Sequence, residues 1–248
     1  RRQLVCTTIT PFYHVTTRCV RRAYLCGRAS QSGRNFAHRR KWIEQRLIKL
    51  SSVFSIQLYA YAIMSNHYHL VIRIDEKTSR GWTDDEVLTR WCRLFRGPLL
   101  VQRYLKGQPI TQVERTSLMR IASVFRRRLS CLSWFMKCLN EFIARNANAE
   151  DKCTGHFWQA RFHSQALTSK KALIAAMAYV DLNPVRAGIS KSPTGSKFTS
   201  ISARVKAAIR RRQCQWLTPF LDKRISASEP RAPNRVHCST EQGHDQDK

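Results

Sequence analysis

The chain has 248 residues, enough for one good-sized domain with an insertion, and 43% of them are hydrophobic, so a packed core can form. Lys and Arg number 44 against 16 Asp and Glu, a formal net charge of +28, which repels itself in a folded state unless a polyanion screens it. Nucleic acid is the expected partner; the basic residues are spread along the whole chain rather than along one amphipathic helix, which argues against a membrane surface.

The chain opens at Arg1 rather than at a Met, which suggests that residues precede it. No apolar run approaches the roughly 18 to 20 residues that cross a bilayer, and no signal-like stretch opens the sequence. A cytoplasmic protein is expected. The nine cysteines are odd in number, irregularly spaced and free of any Cys-x-x-Cys pair, which argues against a disulfide framework and a four-ligand zinc module.

Residues 12–20, FYHVTTRCV, follow Pro11 and are rich in β-formers, so a first strand is predicted there. A Gly- and Ser-containing stretch around Gly27 to Gly33 follows. Residues 36–50 place Trp42, Ile43, Leu47, Ile48 and Leu50 near one helical face. Two strand-like runs, 54–63 and 67–74, flank the short Met64-Ser65-Asn66 and predict an antiparallel hairpin. Alternation in the second run puts Tyr68, Leu70, Ile72 and Ile74 on one face and His67, His69, Val71 and Arg73 on the other. The first face is taken as the core side.

Residues 76–150 read as a mostly helical insertion between two parts of a sheet, with 131–146 its best helix. A strand-like HFWQARFHSQAL then leads to a helix from Ser169, its expected N-cap, to Leu182. Asn183-Pro184 is expected to end that helix, because a residue before proline is disfavoured in the helical region. The organisation predicted is a domain over 1–200 and a basic, then polar tail over 201–248, disordered in its last part.

Two constellations carry chemistry. In the strand 67–74, His67 and His69 point to the same side with Cα atoms about 7 Å apart, close enough to share one divalent ion. Seen alone, such a pair is more often a pair of surface or hydrogen-bonded histidines. In the helix, Tyr179 and Asn183 stand one turn apart on one face, behind the small residues Ala172, Ala175 and Ala176, while Leu173, Met177, Val180 and Leu182 form an apolar side. Seen alone, that pair reads as a core tyrosine and a capping asparagine.

Taken together, YAIMSNHYHLVIRI, FWQARFHSQAL and AYVDLNPVRAG, in this order, closely resemble the single-tyrosine HUH transposases, and among them the REP-associated (repetitive extragenic palindrome) tyrosine transposases of bacteria. The resemblance runs from about residue 12 to 188. It implies an α+β fold, a ferredoxin-like antiparallel sheet of four to five strands with packed helices and a helical insertion. It further implies that Tyr179 is the nucleophile and that His67, His69 and Asn183 hold Mg²⁺ or Mn²⁺. Some relatives carry Gln at the position of Asn183; Asn is shorter than Gln and here sits beside Pro184.

The implied substrate is single-stranded or hairpin DNA of the repetitive extragenic palindrome type. The implied reaction is metal-dependent cleavage and rejoining through a 5′-phosphotyrosine, in a bacterial, nucleoid-associated protein that is a monomer or a homodimer. Arg18, Arg21, Arg22, Trp158 and Arg161 are candidates for DNA contact through phosphate pairing and base stacking; Trp158 can equally be core, and the arginines a solvated basic face. Two rivals stay open: a domesticated or decayed hairpin-binding protein that does not cut, and a metal-dependent hydrolase of small phosphoesters. The hydrolase leaves the +28 charge and Tyr179 without a role.

Overall fold

The computed structural model describes residues 5–20, 25–27, 33–210 and 214–219. Four strands, β1 (Phe12–Arg18), β2 (Ile56–Ile63), β3 (His67–Ile74) and β4 (His163–Ala166), form one sheet in the order β2-β3-β1-β4 with every pair antiparallel. Helix α1 (Arg39–Val53) connects β1 to β2. Helices α2 (Glu76–Gly81), α3 (Asp84–Cys92), α4 (Leu99–Leu105), α5 (Gln112–Leu129) and α6 (Leu132–Glu150) lie between β3 and β4. Helix α7 (Lys170–Arg186) and helix α8 (Ser200–Ile209) follow. This is the ferredoxin-like α+β arrangement that the sequence predicts, with α6 packed beside α1 as the second helix of the unit.

Both faces of the sheet are covered. Tyr13 and Val15 of β1 and Tyr68, Leu70, Ile72 and Ile74 of β3 join α1, α5 and α6 in the larger core. On the other face Phe12, Ala60, Ala62 and Val71 pack against Leu173, Met177 and Val180 of α7 in a smaller core. The alternation read in β3 is therefore correct, but its histidine side is not free of packing duty. It faces a helix, and His69 is only 6% exposed.

Two features of α7 also differ from expectation. The helix does not stop at Asn183 but runs through Pro184 to Arg186. The missing N–H of Pro184 deprives the Val180 carbonyl of its helical partner, yet both Asn183 and Pro184 are buried in the continuing turn. Termination falls to Gly188, whose φ of +67° suits a glycine just past a helix end. Leu182, expected on the apolar side, is exposed, and Asp181 takes a buried position instead. Ser169 does cap the helix, its hydroxyl accepting from the Ala172 amide at 3.1 Å.

Residues that straddle the expected start of the tail have a structural role. Ser200 Oγ lies 3.0 Å from the Tyr61 amide, the Ile63 amide donates to the Phe198 carbonyl at 3.2 Å, and Arg204 donates to the carbonyls of Tyr59 and Thr218. Residues 198–204 and Thr218 thus cap the outer edge of β2, whose backbone groups would otherwise be open to another strand. The expected tail segments 211–213 and 220–248 lie outside the described residues. No described helix is long and apolar enough to cross a membrane.

Candidate active site

The site lies where β3 meets α7, on the face of the smaller core. Antiparallel register places Arg18 opposite His67 and Thr16 opposite His69 across β1 and β3, and Thr16 opposite His163 across β1 and β4. The side chains of His14, Thr16, Arg18, His67, His69 and His163 therefore share one face of the sheet.

The imidazoles of His67 and His69 stand 4.8 Å apart, centre to centre, with their planes at 82°. His67 Nδ1 is 2.6 Å from Asn66 Oδ1, so this nitrogen carries the hydrogen and donates it. His69 Nδ1 is 3.0 Å from Nε2 of His14. From α7, the side-chain amide nitrogen of Asn183 comes to 3.4 Å from His69 Nε2. The Tyr179 ring stands edge-on to both His69 (5.7 Å) and His14 (6.0 Å) and is 41% exposed, at the open rim of the cluster. The Arg186 guanidinium sits over the Tyr179 ring at 5.6 Å.

Electrostatics keep the imidazoles neutral. Burial pushes the His69 pKa down to about 3, helped by His67, His14 and Arg18. His14 is lowered by burial and then by His163, and His67 by burial and then by Arg18. Neutral imidazole is the form that binds a cation through its lone pair.

Among the described residues no group of three or more His, Cys, Asp or Glu side chains is arranged to hold a metal ion. A donor set of His67, His69 and Asn183 is of a different kind, two imidazoles and an amide oxygen. The residues present fit a hard or borderline divalent cation in one respect that can be checked on the side chains. Both Nδ1 atoms are engaged by neighbours, leaving the two Nε2 atoms for a ligand, with the Asn183 amide beside one of them. Rotation of that amide exchanges its nitrogen for its oxygen.

The other predicted residues are distributed differently. Arg18 is exposed at the end of β1 beside His67, and Arg161 is exposed in the segment before β4. Trp158 is half-buried, with its indole N–H donated to the Asn140 carbonyl at 2.9 Å and its ring edge-on to Tyr68. It lines an open groove of about 870 Å³ together with Arg161, Lys137 and His156. Arg21 and Arg22 lie outside the described residues. Sequence reasoning missed His14 and Asn66; strand alternation puts His14 on the Arg18 face, but only the register of β1 against β3 brings it to His69.

No protein-family model matches the chain, and no curated protein matches it. Among solved structures it is similar to a REP-associated tyrosine transposase bound to a REP hairpin, at 13% identity and a TM-score of 0.46, covering 86% of this chain and 88% of that one. Likeness of that degree assigns neither family nor activity.

Proposed function

We propose that the protein is a metal-dependent transposase that nicks and rejoins single-stranded hairpin DNA, with Tyr179 as nucleophile and His67, His69 and Asn183 as the ligands of Mg²⁺ or Mn²⁺. The observation that carries this reading is the meeting of Tyr179 and Asn183, one turn apart on α7, with a neutral histidine pair whose Nε2 atoms are left for a ligand. The motif resemblance points to the same four residues. The net charge of +28 suits a polyanionic substrate.

A divalent cation, when bound, supplies Lewis-acid polarisation of a phosphate oxygen and orients the phosphate. The Tyr179 hydroxyl, at the exposed rim, attacks phosphorus in line and loses its proton. The P–O bond to the 3′-oxygen breaks, that oxygen leaves and takes up a proton, and a 5′-phosphotyrosine remains. Phosphodiester bond energy is kept in the intermediate, so attack by another 3′-hydroxyl rejoins DNA with no nucleotide cofactor. Arg18, exposed beside His67, and Arg186, over the tyrosine ring, would hold the phosphate chain.

The test is a denaturing gel of end-labelled, hairpin-bearing single-stranded DNA incubated with the protein and Mn²⁺. The expected result is label at protein mass that disappears with Tyr179→Phe and with chelator. Hairpin binding without an adduct, equal in both proteins, would show a binder that does not cut; product release without an adduct would show a hydrolase.

A further inference from the structure

His14 contributes neither the nucleophile nor a ligand in the reading above, yet its side chain comes closer to the His69 ring than the Asn183 amide does. The geometry of that contact decides what it is. The two ring planes are 17° apart, and the ring centres are separated by 5.2 Å. That distance is close to the 3.0 Å between His14 Nε2 and His69 Nδ1 plus the two ring radii, so both nitrogens lie near the line joining the ring centres. A ring nitrogen's lone pair, or its N–H, points outward in the ring plane. The two groups therefore aim at each other, as in a hydrogen bond, and not at a shared third point, as two ligands of one ion would.

Two ring nitrogens 3.0 Å apart and aimed at each other form a hydrogen bond in which one donates and the other accepts. If His69 Nδ1 donates, Nε2 of the same ring has a bare lone pair facing Asn183. If His14 donates, His69 carries its hydrogen on Nε2, where it blocks a ligand. Asn66 settles the matching choice for His67, whose Nδ1 can only donate to an amide oxygen.

We propose that His14 is a positioning residue, accepting a hydrogen bond from His69 Nδ1 and thereby fixing the ring orientation and the tautomer that leaves Nε2 bare, as Asn66 does for His67. The inference rests on the metal reading of the site for its purpose, though not for its geometry. Outer hydrogen-bond partners of metal-binding histidines act in this way, and removing one costs about 10- to 100-fold in metal affinity.

Two measurements on the full chain test it. In the metal-free protein, long-range ¹⁵N–¹H spectra of the imidazoles, assigned with His69→Gln, report which nitrogen of His69 carries the hydrogen. The expected result is Nδ1–H with a bare Nε2 in the wild type. With His14→Phe, which keeps bulk and removes the acceptor, the Nε2–H form should appear and Mn²⁺ affinity, followed by the free-ion paramagnetic resonance signal, should drop about 10- to 100-fold. With His14→Gln, whose amide oxygen accepts, both the Nδ1–H form and most of the affinity should return. An Nε2–H tautomer in the wild type, or a His14→Phe protein unchanged in spectrum and affinity, overturns the proposal. A wild type that shows the Nδ1–H form yet binds no Mn²⁺ removes the metal reading and upholds the hydrogen bond.

Discussion

The side-chain amide of Asn183 lies 3.4 Å from Nε2 of His69, joining the last turns of α7 to the central strand β3. If its oxygen is a ligand, Asn183→Leu should weaken Mn²⁺ binding by on the order of tenfold or more. Asn183→Asp should strengthen it, because a carboxylate oxygen replaces a neutral one. Titration of the two variants against the wild type, with helical content checked by circular dichroism, separates lost ligation from a displaced helix; equal affinity in all three would remove Asn183 from the ligand set.

Acid should destabilise the metal-free protein through the same histidines. An imidazole of ordinary pKa, about 6.5, protonates in the unfolded chain before His69 does in the folded one, where its pKa is about 3. Between those values the unfolded state holds the extra proton, so stability is full above about pH 6.5 and falls as the pH drops. His69 accounts for at most about 1.4 kcal/mol per pH unit across that window. Denaturant midpoints at pH 8, 6 and 4.5 should therefore fall less steeply for His69→Gln than for the wild type.

Arg39 is 1% exposed and joins the start of α1 to the end of α6, donating to Glu150 at 2.7 Å and to Asp151 at 2.5 Å, with Phe36 beneath its guanidinium. Replacing both acids by amides leaves a buried cation without its counter-charges, which should cost about 3–5 kcal/mol. Adding Arg39→Met to that variant removes the stranded charge and should recover part of the loss. Urea unfolding of the three proteins checks the order.

Asp181 holds α8 to α7. It accepts from the Ser200 hydroxyl and from the Ile201 amide at 3.0 Å, with Arg204 Nη1 at 3.6 Å. Burial raises its pKa, against those three partners. Asp181→Ala leaves buried donors unmatched and should cost about 1–3 kcal/mol. The loss should be local, read as faster trypsin cleavage at Arg204 and Lys206 with cleavage in α6 unchanged; equal acceleration in both places would mean that α8 is not a separate unit of stability.

Much of this was legible because period-2 alternation is strong where both sides of a strand are distinctive. Tyr68, Leu70, Ile72 and Ile74 fix β3, and the short Met64–Asn66 link fixes its pairing with β2. Helical spacing puts Tyr179 and Asn183 on one face of α7, but only the motif resemblance gives the pair a role. Neither reveals His14, because its meeting with His69 depends on the register between strands separated by some fifty residues, which local periodicity does not encode. Pro184 misled for a related reason: its intrinsic cost is local, while the packing that keeps the helix going is tertiary. The burial of His69 is not written in the strand pattern, which marks an apolar face but does not reveal that a second helix covers the other one.

The covering of the two sheet faces is unequal, and the candidate site straddles the difference. The histidines belong to a central strand clamped by neighbours on both sides and backed by the larger core, whereas the tyrosine and asparagine ride on a helix seated on the smaller one. One half is an anvil and the other a hammer: small slips of α7 along its seat would retune the aim of the tyrosine while the histidine pair stays where the sheet has fixed it.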